Sequence, residues 1–243
     1  MKKGDVMNRN HLKIIACISM LIDHIGFVLF PQYEWFRIIG RMAMPIFAFF
    51  IGEGCLYTRN RKKYFLRLFI LAIICQAVYI AESLITGGDM GLYFNILFTF
   101  SCSIILCSVF LRLDKDNTLK NRAVFILTVV AFWGMDWLFE YISDATGLNM
   151  HIDYGIEGII LPLFAVMSRD KKKKLILFAA GLAFVAVRLY EVDTLFFIFA
   201  MIPAGLLCFY NGEGGKRNMK YFFYLFYPLH LVAIYGVDYL INL

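Results

Sequence analysis

The chain has 243 residues, 61% of them hydrophobic and 17% aromatic, with a mean hydropathy of +0.70. Soluble domains sit nearer half apolar, so this composition excludes a water-soluble globular protein and leaves no stretch for a soluble domain. The net charge of +6 does not point to nucleic acid, because the basic residues fall in short clusters between apolar runs.

In chain order, the apolar runs predict membrane-spanning helices near residues 13–30, 36–57, 64–82, 92–111, 123–141, 154–168, 174–190, 194–210 and 221–241. The first run follows Met1-Lys2-Lys3 and partly imitates a signal peptide. It lacks a small-residue cleavage site and is long enough to span, so it is expected to be a retained helix. Asp23-His24 interrupts it at bilayer depth. The sixth run is short and opens near Asp153 and Glu157, which suggests a tilted, broken or partly inserted segment. The expected fold is all-α, a polytopic membrane helical bundle of about nine transmembrane helices forming one domain over residues 1–243.

Basic residues orient the bundle. Lys2, Lys3, Arg9 and Lys13 precede the first run, and further clusters lie at 59–63, 112–122, 169–174 and 216–220. With nine crossings all of these fall on one side, and only Arg37, Arg41, Arg67 and Arg188 do not. The positive-inside rule then places the N-terminus in the cytosol and the C-terminus outside. Contact with anionic lipid explains the same clusters. The connections at Gly87-Gly88-Asp89 and Gly212-Glu213-Gly214-Gly215 read as turns. All six cysteines lie inside predicted spans without CxxC spacing, so neither a disulfide framework nor a zinc knuckle is expected.

A rise of about 1.5 Å per residue gives the depth of each polar intruder. His24 lies about 16 Å beyond Lys13, and His230 lies about 15 Å beyond Lys220, at nearly the same level. Asp136 is roughly 21 Å past Arg122, and Arg41 and Asn95 sit about one turn below the outer face. Asp23, His24, Arg41, Asn95, Asp136 and His230 are therefore all expected in the outer half, with Glu140, His151, Asp153, Glu157 and Arg188 at the mouth above. Such convergence implies a polar cavity between helices, since ionisable groups at this depth are costly unless they face protein, water or substrate.

Each residue also has a structural reading. Asp136, Glu140 and Arg188 suit helix-end anchoring, Arg41 can snorkel, Asn95 can join helices by a hydrogen bond, and His230 can be a satisfied core histidine beside Pro228. Asp23-His24 is hardest to explain in that way. A neutral histidine takes a proton from an amine or hydroxyl, and a carboxylate can fix its tautomer. Asp23, however, projects about 100° from His24 on an ideal helix and suits a different partner. Arg41 suits an oxyanion or a phosphate. No metal is expected, because the His and Asp spacing matches no ligand motif.

Several blocks together resemble one family. They are Leu12-Lys13-Ile14-Ile15-Ala16 through Met20-Leu21-Ile22-Asp23-His24-Ile25-Gly26, then Arg37-Ile38-Ile39-Gly40-Arg41-Met42-Ala43-Met44-Pro45-Ile46-Phe47-Ala48-Phe49. Glu53-Gly54, Thr58-Arg59-Asn60-Arg61-Lys62-Lys63-Tyr64, Arg67-Leu68, Asn95-Ile96-Leu97-Phe98-Thr99 and Tyr227-Pro228-Leu229-His230 follow. The combination resembles the TraX family, named for the conjugative F-pilin acetylase, over nearly the whole chain. The DHxG helix followed by GRxxxPxFAF is its specific part. That family is similar to a wider group of multi-spanning acyltransferases, including the acyltransferase-three enzymes and the lysosomal heparan glucosaminide acetyltransferase.

The resemblance implies a bacterial inner-membrane acyltransferase that takes an acyl group from cytosolic acetyl-CoA, or another acyl-CoA, and delivers it to an amine or hydroxyl. It assigns the base to His24 and matches Arg41 and Glu53 to family positions. On this reading Asp23 or a neighbouring acid orients the base. Arg41 and Asn95 position the thioester carbonyl or the acceptor, while Asp136, His230 and Glu53 line the substrate site. Arg59, Arg61, Lys62, Lys63 and Arg67 meet the CoA phosphates, since anionic groups seek clustered cations. Small-molecule, glycan and peptide acceptors are all compatible. A proton-coupled transporter or flippase is the alternative, since buried Asp, Glu and His chains also serve proton relays. The lack of an inverted repeat argues mildly against it. A non-catalytic scaffold is a third reading, for which the polar cluster would be unnecessary.

Overall fold

A computed structural model describes residues 6–86, 93–190, 193–215 and 217–241. Lys2, Lys3, the Gly87-Gly88-Asp89 connection and Lys216 lie outside the described residues. The described chain is all-α apart from one two-residue strand pair. In order it runs α1 (Arg9–Leu29), α2 (Trp35–Gly40), α3 (Ala43–Tyr57), α4 (Arg61–Thr86), β1 (Tyr93–Phe94), α5 (Ile96–Lys115), α6 (Leu119–Thr146), β2 (His151–Ile152), α7 (Gly155–Val166), α8 (Lys171–Tyr190), α9 (Thr194–Cys208) and α10 (Lys220–Ile241).

Every apolar run in the sequence is occupied by helix, the second run by two. Among the described residues, six stretches are long and apolar enough to cross a membrane: α1, α2 with α3, α4, α5, α6 and α10. Helices α7 and α9 are apolar but shorter, and α8 opens on four lysines. The chain is thus a helical membrane protein.

The break between α2 and α3 follows from Pro45. Proline has no N–H to donate to the carbonyl four residues back, here that of Arg41, and its ring crowds that carbonyl. The chain therefore leaves the helix at Arg41 and Met42, and Arg41 N–H closes α2 by donating to the Ile38 carbonyl at 3.2 Å. Pro45 then sits in the first turn of α3, where a missing donor costs nothing.

The chain divides into two compact units, one formed by residues up to Phe47 together with Phe178 onward, the other by Ala48–Leu177. In the first unit α1 packs against α2 and α10, and α2 packs against α9. The Asn8 side chain caps α1 by accepting from His11 N–H at 3.1 Å. The start of the described chain is tied to the α9–α10 connection. Met7 N–H donates to the Phe209 carbonyl at 3.0 Å, Asn211 N–H to the Met7 carbonyl at 2.8 Å, and Arg9 N–H to the Glu213 carbonyl at 2.8 Å. Gly212 and Gly215 turn this connection with φ of 83° and 85°, a region open to glycine at little cost.

In the second unit α5 packs against α4, α6 and α7. Its polar residues are satisfied internally, as a low-dielectric setting requires. Ser101, Ser103 and Ser108 donate to carbonyls one turn back at 2.7, 3.0 and 2.6 Å. The strands β1 and β2 pair in parallel, Tyr93 with His151 and Phe94 with Ile152. Two-residue strands carry too little pattern to be read from sequence, and the fourth run accordingly becomes helical only at Ile96.

Candidate functional site

Within the first unit, the crossing of α1 and α2 is made close by two glycines. A Cβ on Gly26 would overlap the Phe36 side chain, and one on Gly40 would overlap Asp23. Buried Ser19 adds a bond across the same crossing, its hydroxyl donating to the Ile39 carbonyl at 2.7 Å. This approach lets Asp23 reach both arginines of α2 and its end. Arg37 Nη1 lies 2.6 Å from Asp23 Oδ2, and Arg41 Nη2 lies 3.0 Å from Oδ1. Arg41 Nε also donates to the Arg37 carbonyl at 2.9 Å.

Aromatic rings cover both guanidiniums, with Arg37 4.9 Å from the Phe27 ring centre and Arg41 5.5 Å from that of Phe196. Two cations share the Asp23 carboxylate. Arg41 is buried rather than snorkelling outward. Arg37, which sequence reasoning noted only as an outlier from the basic clusters, is an equal member of the clamp. Its signal was the four-residue spacing from Arg41.

The neighbouring side chain, His24, turns to α10. Its Nδ1 lies 3.0 Å from His230 Nε2, and His230 Nδ1 lies 2.7 Å from the Phe226 carbonyl oxygen. Tyr227 meets both imidazoles edge-on, with ring centres 6.2 Å from His24 and 5.4 Å from His230. The geometry therefore separates the two adjacent residues of the motif. Asp23 holds arginines, and His24 holds a second histidine. The angular offset expected on α1 is the reason.

Asn95, Asp136 and Glu53 belong to the second unit and have partners there. Asn95 caps α5 by accepting from Leu97 N–H at 3.1 Å, while its amide donates to the Ala72 carbonyl at 2.9 Å and to Gln76 Oε1 at 3.1 Å. It thereby joins α5 to α4. Asp136 Oδ2 accepts from Ile156 N–H at 2.9 Å and so caps α7 from a neighbouring helix. This matters because Tyr154, at the cap position, has φ of 59° and makes no side-chain cap bond of its own. Glu53 pairs with Lys174 at 2.9 Å, and both side chains are buried.

Of the basic residues, Arg61 donates from Nε to the Cys55 carbonyl at 2.9 Å and so closes α3. Arg59, Lys62, Lys63 and Arg67 are exposed. Among the described residues no three or more His, Cys, Asp or Glu side chains gather as metal ligands would.

The TraX protein family matches residues 8–238, a span that includes every one of these side chains. The chain belongs to the TraX family. A relative named probable fimbrial assembly protein FimC, serogroup H1, from Dichelobacter nodosus is 29% identical, with 92% of each chain covered. Protein TraX of Escherichia coli is 28% identical over 94% of this chain and 86% of its own length. An uncharacterized protein of Rickettsia prowazekii (strain Madrid E) is 28% identical over 96% and 82%. No solved structure matches significantly. For this TraX-family chain the blocks that carried the resemblance are the ones that build the clamp and the histidine pair.

Proposed function

We propose that this protein is a transmembrane acyltransferase, dependent on acetyl-CoA, with His24 as general base toward an amine or hydroxyl acceptor. The observation that carries the reading is the His24–His230 contact. An imidazole whose Nδ1 is engaged presents Nε2 as the atom that takes a proton. In the transfer step, the acceptor nitrogen or oxygen forms a bond to the thioester carbonyl carbon while its proton passes to His24 Nε2. The carbon–sulfur bond then breaks, and CoA leaves as a thiolate that recovers a proton. The guanidiniums of Arg37 and Arg41 in the clamp suit the oxyanion formed in between. Arg41 is its most buried cation, and Asp23 positions it.

On this reading acyl-CoA is a cytosolic substrate. The exposed Arg59, Lys62, Lys63 and Arg67 suit its phosphates, whereas Arg61 is committed to α3. Asn95, Asp136 and Glu53 support the reading as positioning groups, since each holds helices in place. Nine crossings with a cytosolic N-terminus account for the basic clusters. Kinship with a protein named for fimbrial assembly makes pilin-derived peptides the first acceptor to try, with glycans and small molecules after them.

The test is transfer of labelled acetyl groups from acetyl-CoA by purified protein in lipid nanodiscs. His24→Ala is expected to lower turnover by about 10²-fold or more, as loss of a positioned base does. Full-rate transfer by this variant would remove His24 from the mechanism. Substrate or proton movement with no acetyl-CoA consumed would favour the transporter reading.

A further inference from the structure

From the hydrogen-bond chain we infer that His230 is a tautomer-setting positioning residue, holding His24 with its proton on Nδ1. The inference deepens the acyltransferase reading at the same site, but its physical content stands without the reaction. The chain is read from its fixed end. A backbone carbonyl only accepts, so His230 Nδ1, 2.7 Å from the Phe226 oxygen, must carry the proton. In a neutral His230 ring the other nitrogen, Nε2, is then an acceptor. The atom facing it at 3.0 Å, His24 Nδ1, must be the donor. His24 Nε2 is left with its lone pair.

This arrangement does for His24 what a buried carboxylate does in acid–base–nucleophile triads. The carboxylate beside His24 in sequence is not available for the task, because both of its oxygens face guanidiniums. His230 takes its place. An imidazole acceptor also leaves the base site without a further negative charge.

The substitution series is His230→Gln and His230→Phe. Glutamine keeps an acceptor at the reach of Nε2, while phenylalanine keeps ring volume and loses the acceptor. The spectroscopic measurement is nitrogen-15 NMR of histidine-labelled full-length protein in nanodiscs, with His24 assigned by difference against His24→Asn. In the unsubstituted protein His24 is expected as the Nδ1–H tautomer. His230→Phe moves it to Nε2–H, and His230→Gln keeps it at Nδ1–H. In the transfer assay His230→Phe lowers kcat about 10²-fold with KM within about twofold, and His230→Gln recovers to within about tenfold of the unsubstituted protein.

An Nε2–H signal for His24 in the unsubstituted protein, or a tautomer unmoved by His230→Phe, overturns the inference. Equal loss of kcat in both His230 variants does so as well. Absence of acetyl transfer in every sample, unsubstituted protein included, counts against the acyltransferase reading alone, and the NMR result then decides the tautomer by itself.

Discussion

At the scale of single residues, the clamp around Asp23 gathers three charged side chains at one crossing of the first unit. The side chains of Asp23 and Arg41 are only 15% and 10% exposed, whereas Arg37 is 35% exposed. Removing the carboxylate breaks a buried ion pair to Arg41, a change that costs about 3–5 kcal/mol for fully buried pairs. Partial exposure of Arg37 argues for the lower end. Asp23→Asn is therefore expected to destabilise by about 3 kcal/mol. The double variant Asp23→Asn with Arg41→Gln is expected to lose clearly less than the two single changes together, because the pair they share is lost only once. Thermal unfolding in detergent measures both, and strict additivity would refute the clamp.

How much of this was readable beforehand differs by residue. His24 and His230 were placed at one depth by counting from Lys13 and Lys220, because helical rise is nearly invariant. That Asp23 would serve two arginines instead of His24 depended on where α2 crosses α1. No spacing along one helix supplies that information. Tyr227 was quoted only as part of a motif, and its edge-on seat against both imidazoles required the tertiary fold.

At the scale of elements, the α1–α2 crossing depends on the absence of two side chains. Gly40→Ala would drive a methyl group into the Cβ and carboxylate of Asp23, both short and constrained by the clamp. Overpacking of this kind costs about 1–3 kcal/mol, and here it also moves a residue that orders two arginines. Gly134→Ala serves as the control, since a Cβ there meets nothing within 4 Å. Gly40→Ala is expected to lower the unfolding midpoint and impair transfer, while Gly134→Ala leaves both within error. The two glycines were visible in the sequence, but their purpose was not, since glycine in an apolar run reads equally well as lipid-facing. The break after α2 was legible in principle from Pro45. High mean hydropathy from Ile38 to Leu56, despite Arg41 and Glu53, concealed it, because hydropathy registers depth and ignores backbone direction.

At the scale of the whole molecule, the distribution of charge bears on how the chain lies in its membrane. On the proposed nine crossings, Glu34 and Leu148 lie outside and Asn117 and Glu213 in the cytosol. In a variant lacking the six native cysteines, Glu34→Cys and Leu148→Cys are expected to react with an impermeant maleimide on intact cells. Asn117→Cys and Glu213→Cys are expected to react only after permeabilisation. The reverse pattern would invert the topology and put the exposed cations near Arg59 on the wrong side for acyl-CoA. The sequence was most informative at this scale, since composition and basic clusters need no side-chain geometry. It had least to say about grouping. Polar residues at matching depth suggested one shared cavity, whereas Asn95 and Asp136 have their hydrogen bonds inside the second unit.

The contact between His24 and His230 also has a temporal meaning. The two rings are separated by 206 positions in the chain, so the ribosome releases one long before the other exists. Until α10 is inserted, His24 has no imidazole to accept its proton, and an emerging chain holds an unfinished base. On the proposed mechanism, catalytic competence waits for α10. A half-made molecule already in contact with cytosolic thioesters would then be silent toward them.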